Sequence, residues 1–209
     1  MENINFILVG LGNPGKQYIH TRHNAGFYAI EKITASFAKD NLEIETKLET
    51  KKEVESCLFN IGKTKLLALK PLGYMNKSGE TLKKYLAYKN ISPEEFIKKA
   101  ILICDDSDLS EGRLKLTKNH GTGGHKGLAS IFSVFNTTEF IRIKIGIRPL
   151  HNKKLAETFV LSSFEQNGKL DKTIQEIPEI ISCLTKKGLD ACQSLYNFSD
   201  NSPKTTHEP

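Results

Sequence analysis

The sequence predicts an α/β fold: a single-domain, three-layer α/β/α globule around a mixed, mostly parallel twisted sheet. Three observations carry this reading. Residues 5–10 and 100–104 are short, continuous apolar runs rich in branched side chains, as in strands covered on both faces. Stretches with apolar residues at helical spacing alternate with such runs. A hairpin closed by Gly62-Lys63 adds antiparallel pairing. A length of 209 residues, 38% hydrophobic and 26% charged, suits one ordinary globular domain with a sizeable core.

Residues 5–10 (N-F-I-L-V-G) read as a central strand running into the loop Gly10-Leu11-Gly12-Asn13-Pro14-Gly15. Beyond Asn24, the spacing of Phe27, Ile30, Ile33 and Phe37 predicts a first helix over 25–38, and a charged connection, 40–53, follows. Residues 54–61 and 64–70 form the arms of the hairpin. Leu82, Tyr85 and Leu86 suggest a second helix after Asn76, and Ser92-Pro93-Glu94-Glu95 is a helix start with Pro at its first position and Glu at its third. The buried strand 100–104 is expected to end in Asp105-Asp106-Ser107-Asp108. A strand over 113–118, a glycine-rich loop over 120–127 and a helix over 128–135 come next, then a half-buried strand over 140–147 whose basic face carries Arg142 and Lys144. Residues 165–196 are helical in pattern, broken or kinked at Pro178. One catalytic domain, 1–197, is expected, with a frayed tail, 198–209, that has no apolar residue after Phe198.

Fifteen Gly and seven Pro exclude collagen-like or low-complexity character. No apolar run approaches the roughly 20 residues that span a bilayer, and the acidic start Met1-Glu2 with the short apolar stretch 6–11 does not resemble a signal peptide. A cytoplasmic protein is expected. Cys57, Cys104, Cys183 and Cys192 form no C-x-x-C pair, which argues against a zinc ribbon or a disulfide scaffold and predicts buried, inert thiols. An excess of 30 Lys+Arg over 24 Asp+Glu, a net +6, favours an anionic partner without naming it.

Gly10-Leu11-Gly12-Asn13-Pro14-Gly15 matches G-x-G-x-x-G after a strand. A dinucleotide turn would continue into a helix at once, whereas Lys16 to Asn24 has no apolar helical period. A metal reading rests on His20 and His23, with Asp105, Asp106, Asp108, His120 and His125 as further ligands, but no helix supports the first pair and no H-E-x-x-H occurs. The sharper constellation is Asn13, Asn76, Asp105 and His23, three at the C-terminal ends of expected strands and one on the long loop, where open α/β sheets place ligands. A histidine oriented by a carboxylate can take a proton from water attacking a carbonyl, and neutral amides can donate to the developing negative charge. The bland alternative is a helix-entry histidine and acids that merely cap a strand.

At these residues the sequence resembles bacterial-type peptidyl-tRNA hydrolase. The resemblance runs through Val9-Gly10-Leu11-Gly12-Asn13-Pro14-Gly15, Tyr18, Thr21-Arg22-His23-Asn24-Ala25-Gly26 and Lys70-Pro71 with Tyr74-Met75-Asn76-Lys77-Ser78-Gly79. It continues in Asp105-Asp106-Ser107-Asp108-Leu109, Gly121-Thr122-Gly123-Gly124-His125-Lys126-Gly127-Leu128, Arg142 to Ile147 and Phe159-Val160-Leu161. It implies a single α/β globule, a monomer, that hydrolyses the ester between a peptide and the 3′-terminal ribose of tRNA without a metal or organic cofactor and without a membrane. It further implies His23 as general base, Asp105 as its orienting partner, and Asn13 and Asn76 beside the scissile ester. Tyr18 and Met75 would line the cleft, His125 would shape its wall, and Lys115 and Lys144 would meet tRNA phosphate. Two positions depart from the family pattern: Lys126 stands where Asn is usual, and Ser162 where Gly is common. Lys126 either pairs with a phosphate or points into solvent. A non-catalytic tRNA-binding paralogue is the rival from another class.

Overall fold

The computed structural model describes residues 4–38, 49–149 and 155–197. Among these residues seven strands, β1 (Phe6–Gly10), β2 (Glu49–Lys51), β3 (Val54–Ile61), β4 (Thr64–Pro71), β5 (Ala100–Ser110), β6 (Leu114–Lys118) and β7 (Ile141–Arg148), form one sheet in the order β2-β3-β4-β1-β5-β7-β6. β1 pairs in parallel with both β4 and β5, and β5 with β7. The β2-β3, β3-β4 and β6-β7 pairs are antiparallel, so five of the seven strands run one way and β3 and β6 the other.

Among the described residues, seven helices cover the faces: α1 (Ala25–Ala38), α2 (Ser78–Tyr88), α3 (Pro93–Lys99), α4 (Lys126–Phe135), α5 (Lys169–Gln175), α6 (Ile177–Lys187) and α7 (Leu189–Tyr196). Alternation along the central strand explains the layers. Leu8 joins Ile101, Ile103, Ile143 and Ile145 under α1, α5, α6 and α7, whereas Ile7 and Val9 join Leu67, Leu69 and Leu102 under α2, α3 and α4. The three-layer mixed sheet expected from the sequence is the fold, and α1 and the hairpin arm β3 have the expected bounds. Ser92 caps α3 by accepting the Glu95 amide, as its start signal implied.

Several expectations need correction. The charged connection contains β2, which pairs with β3, while its residues 40–48 lie outside the described residues, as does the tail 198–209. β5 does not stop at Cys104. It continues to Ser110 with a register shift, because β7 goes on pairing with it at Asp105 and Asp106, and Lys144 of β7 neutralises Asp106. The basic face of β7 is not solvated at Arg142, which is fully buried. Its guanidinium donates to the carbonyl oxygens of His120 and Gly121 at 2.7 and 2.8 Å and lies over the Phe132 ring, replacing the water the charge gave up. Pro178 sits in the first turn of α6, where its missing N–H is harmless, and the helical pattern breaks at Glu176 instead. Cys183 and Cys192 are not separate thiols but form a disulfide, with Cα atoms 6.3 Å apart. Gly188, at φ 79°, lets α7 fold back on α6 and brings the two together.

Candidate active site

The site lies at the C-terminal ends of the central strands, where the chain leaves β1 for one face of the sheet and β4 for the other. Two glycines make this geometry possible. A Cβ on Gly10 would fall on the carbonyl oxygen of Gly26, and one on Gly26 would fall on the Ile103 carbonyl and the Leu11 backbone. The start of α1 therefore rests directly on the backbones of β1 and β5. The 3₁₀ turn Arg22–Asn24 that leads into α1 then delivers His23 to Asp105 of β5.

His23 Nδ1 lies 2.9 Å from Asp105 Oδ1 and 3.0 Å from Oδ2. An ionised carboxylate only accepts, so Nδ1 carries the proton and Nε2 is left free in a ring that lines the cavity. The carboxylate is also held from the α4 side, where His125 Nε2 lies 3.0 Å from Asp105 Oδ1. His125 Nδ1 accepts the amides of Gly127 and Leu128 at 3.1 and 3.3 Å, which makes His125 the N-cap of α4 and places its one proton on Nε2. Asp105 thus receives imidazole N–H groups from both layers.

Burial opposes charge on His23, but the Asp105 charge and hydrogen bond outweigh it, against a smaller opposing effect of Lys126, and the net pKa is above the ordinary histidine value. Burial likewise opposes ionisation of Asp105. The imidazoles of His125 and His23, both directed at the carboxylate, outweigh it and hold the carboxyl well below the usual carboxylate range. Among the described residues, His23, Asp105 and His125 are the group whose ligand atoms are close enough to hold a metal ion. Their protons already satisfy one another, so a cation there would have to displace two imidazole N–H bonds and, at His125, would not find the capping nitrogen. His20, the other half of the sequence-based metal pair, lies apart with its ring edge-on to Phe164.

The amides form a second chain of contacts. Buried Asn24 clamps the backbone of Asn13, accepting its N–H at 2.8 Å and donating to its carbonyl at 2.9 Å. Asn13 Oδ1 in turn accepts the Met75 amide at 2.9 Å, which fixes the 3₁₀ turn Met75–Lys77 and places Asn76 on the wall. Asn13 keeps its amide N–H₂ for a ligand. The exposed Asn76 amide has no side-chain partner among the described residues.

A cavity of about 720 Å³ opens over these groups. Asn13, His23, Met75, Asn76, Asp105, His125, Lys126 and Lys144 all line it. Tyr18 does not. It sits half-buried in the 3₁₀ turn Lys16–Tyr18, where its carbonyl holds the amide and hydroxyl of Thr21, and Tyr74, Val160 and Leu161 supply the apolar wall in its place. Lys115 is exposed on β6, opposite Lys144 in the β6-β7 register, and outside the wall. Lys144 is no free cation, since its ammonium is bound to Asp106 Oδ2 at 2.6 Å. Sequence reasoning gave no role to Asn24 or to the wall around residues 156–161, although Asn24 and Phe159-Val160-Leu161 lay in stretches that carried the resemblance.

A sequence model of the Peptidyl-tRNA hydrolase family matches residues 7–206. The chain is 35% identical over 195 residues to a peptidyl-tRNA hydrolase of Clostridium tetani, an alignment covering 92% of this chain and 97% of that protein. It is 38% identical to one of Persephonella marina, covering 91% and 96%. Among solved structures, a peptidyl-tRNA hydrolase of Acinetobacter baumannii superposes with a TM-score of 0.77 at 27% identity, over 93% of this chain and 96% of that one.

Proposed function

The chain belongs to the peptidyl-tRNA hydrolase family and acts as a hydrolase of peptidyl-tRNA, and from that premise we propose that His23 is its general base. The observation that carries this is the free Nε2 of a ring whose Nδ1–H is bound to buried Asp105. Water held against Nε2 gives up a proton as its oxygen attacks the ester carbonyl. Asp105 stabilises the resulting imidazolium. The amides of Asn76 and Asn13 donate to substrate oxygen as negative charge develops. Collapse of the tetrahedral intermediate breaks the bond to the 3′-oxygen of the ribose, which takes the proton back from His23, and the peptide leaves as a carboxylic acid that gives the second water proton to solvent.

The apolar wall of Tyr74, Met75, Val160 and Leu161 suits peptide side chains, and exposed Lys115, with Lys144 once it leaves Asp106, suits tRNA phosphate, contacts that position the substrate without reading its sequence. A cytoplasmic monomer is part of this reading. No described helix is long and apolar enough to cross a membrane, and two of the exposed large apolar residues, Tyr74 and Leu161, belong to the cavity wall. The test is to incubate the purified protein, with and without chelator, with N-acetylaminoacyl-tRNA and with unblocked aminoacyl-tRNA. Release from the blocked species alone, unchanged by chelator, supports the proposal, whereas tight binding without release supports the non-catalytic alternative.

A further inference from the structure

His23 is carried by a 3₁₀ turn of three residues, Arg22–Asn24, which is too short to hold a side chain in place by its own hydrogen bonds. Its surroundings hold it. The amides of Arg22 and His23 donate to the carbonyl oxygens of Ser162 and Val160 at 3.0 and 2.8 Å, and Asn24 is bound to the Asn13 backbone. These bonds tie the turn to two loops, whereas the acid stands on β5. On the C-terminal side of His23, Gly26 seats the start of α1 against the Ile103 carbonyl of that strand.

On the N-terminal side the tie to β5 is an ion pair. Arg22 Nη1 donates to Glu111 Oε2 at 2.6 Å and to the Ile147 carbonyl of β7 at 3.1 Å. Glu111 directly follows Ser110, the last residue of β5, so the residue before the base is fastened just beyond the strand that carries the acid. Glu111 is itself fixed, because its amide donates to the Arg148 carbonyl at 2.8 Å and its Oε1 accepts the Leu170 amide at 3.3 Å. The side chains of Arg22 and Glu111 are only 12% and 18% exposed, which sets them apart from the screened surface pairs that contribute little. Removal of either one leaves the other's charge mostly out of water without its counterion. Arg22 Nε is buried with no hydrogen-bond partner among the described residues, so the guanidinium is aimed at Glu111 and Ile147 even though one donor stays unsatisfied.

Neither Arg22 nor Glu111 is among the residues that line the cavity. Resting on the reading of His23 as general base, we propose that Arg22 and Glu111 are positioning residues for the hydrolysis, their ion pair setting the distance from His23 Nδ1 to Asp105 and with it the direction of the free Nε2. Displacing a reacting group by about 1 Å lowers a rate by about a hundredfold. Loosening the turn therefore acts on kcat, while the wall that holds the substrate keeps all its residues.

The experiment uses Arg22→Met, which keeps the stem and removes the donors, and Glu111→Gln, which keeps the shape and removes the charge. On N-acetylaminoacyl-tRNA each should lower kcat by about tenfold to a hundredfold with KM close to wild type, and Arg22→Lys should recover part of the loss. Glu111→Gln carries the comparison should Arg22→Met fail to fold. The acidic limb of kcat/KM separates positioning from plain stability. Burial lowers the His23 pKa and Asp105 raises it by more, so a looser pair moves the limb to lower pH in both variants. A direct charge effect would have opposite signs, since one variant removes a cation and the other an anion. The other charged or titratable groups around the ring, His125 and Lys126 at the start of α4 and Asp106, Lys144 and Glu157 on the wall, are the same in both.

Limbs that shift in opposite directions overturn the proposal, as does a lower melting temperature with kcat and the limb at their wild-type values. Titration of the His23 imidazole by NMR reads the same geometry without turnover. Its midpoint should move to lower pH in both variants, and an unmoved midpoint overturns the proposal. Failure of the wild-type protein to release N-acetylaminoacyl groups overturns the general-base reading, whereas the NMR midpoints still decide whether the ion pair sets the His23–Asp105 contact.

Discussion

His125 and Asp105 are joined by one hydrogen bond of 3.0 Å whose direction is fixed from the far side of the ring, because His125 Nδ1 is occupied by the first amides of α4. The ring is therefore both a helix cap and a donor to the carboxylate that orients His23. The two roles separate in His125→Asn, since Asn is a good N-cap but does not reproduce the imidazole bond to Asp105. We expect a melting temperature close to wild type and kcat lower by about tenfold to a hundredfold, the usual effect of losing a partner that orients a functional group. A variant with unchanged kcat would remove His125 from the mechanism.

His23→Ala should lower kcat by about 10²–10⁴-fold while leaving tRNA affinity within a small factor, because the base acts on water and not on the bound nucleotide chain. Single-turnover release and filter binding on the same preparation separate the two. Turnover near the wild-type value would end the assignment.

The pH dependence has a defined sign. His23 works unprotonated, so the rate falls as pH drops through its pKa. Burial lowers that pKa, Asp105 raises it further than burial lowers it, and Lys126 pulls back. Asp105→Asn should therefore move the acidic limb of kcat/KM to lower pH while lowering the plateau, and Lys126→Gln should move the limb to higher pH. Limbs that shift in the same direction in both variants would contradict the electrostatics of the site.

Lys115 and Lys144 face the same side of the β6-β7 ladder but differ in availability, since among the described residues only Lys144 is bound to an acid, Asp106 of β5. Lys115→Gln should raise KM for tRNA substrates and reduce the salt slope by about 0.7–0.9, the value of one phosphate contact. Lys144→Gln should change the slope less, and Asp106→Asn should steepen it by freeing the ammonium. Measuring KM across a salt series tests this. Equal slopes in the two lysine variants would show that the pair with Asp106 opens on binding.

Gly26→Ala puts a methyl against the Ile103 carbonyl and the Leu11 backbone, neither of which can yield as a flexible side chain can. The start of α1 must lift, taking His23 away from Asp105. A stability loss of about 1–3 kcal/mol is expected, with a larger fall in kcat than in tRNA affinity. Chemical denaturation and steady-state kinetics together read this. Full activity in a destabilised Gly26→Ala would mean that His23 is placed by something other than this close packing.

The elements were legible because their signals are local. The periodicity of Phe27, Ile30 and Ile33 marked α1, the Ser92-Pro93 start marked α3, and the apolar run before Asn13 marked the central strand. His23, Asp105, Asn13 and Asn76 were legible because a strand's C-terminal end and the loop after it are where this architecture gathers polar groups. Arg142 and Lys144 were misread for the converse reason. Alternation says which side of a strand a residue faces, but not what covers that side, and α4 with its glycine-rich loop covers Arg142 while Asp106 holds Lys144. The disulfide was missed because only the Gly188 turn brings two cysteines on successive helices within reach.

Taken alone, the amino-acid order determined most of the helices and strands, their alternation and the identity of the groups able to move a proton. Folding decided their protonation and partners: which nitrogen of His23 is free, that His125 shares its acid, and which lysines keep an unspent charge. The physical reason is range. Periodicity and capping act within a few residues, whereas the bond from His23 to Asp105 spans 82 positions of chain and that from His125 spans 20. The first of these exists only once Gly10 and Gly26 have let α1 settle onto the sheet.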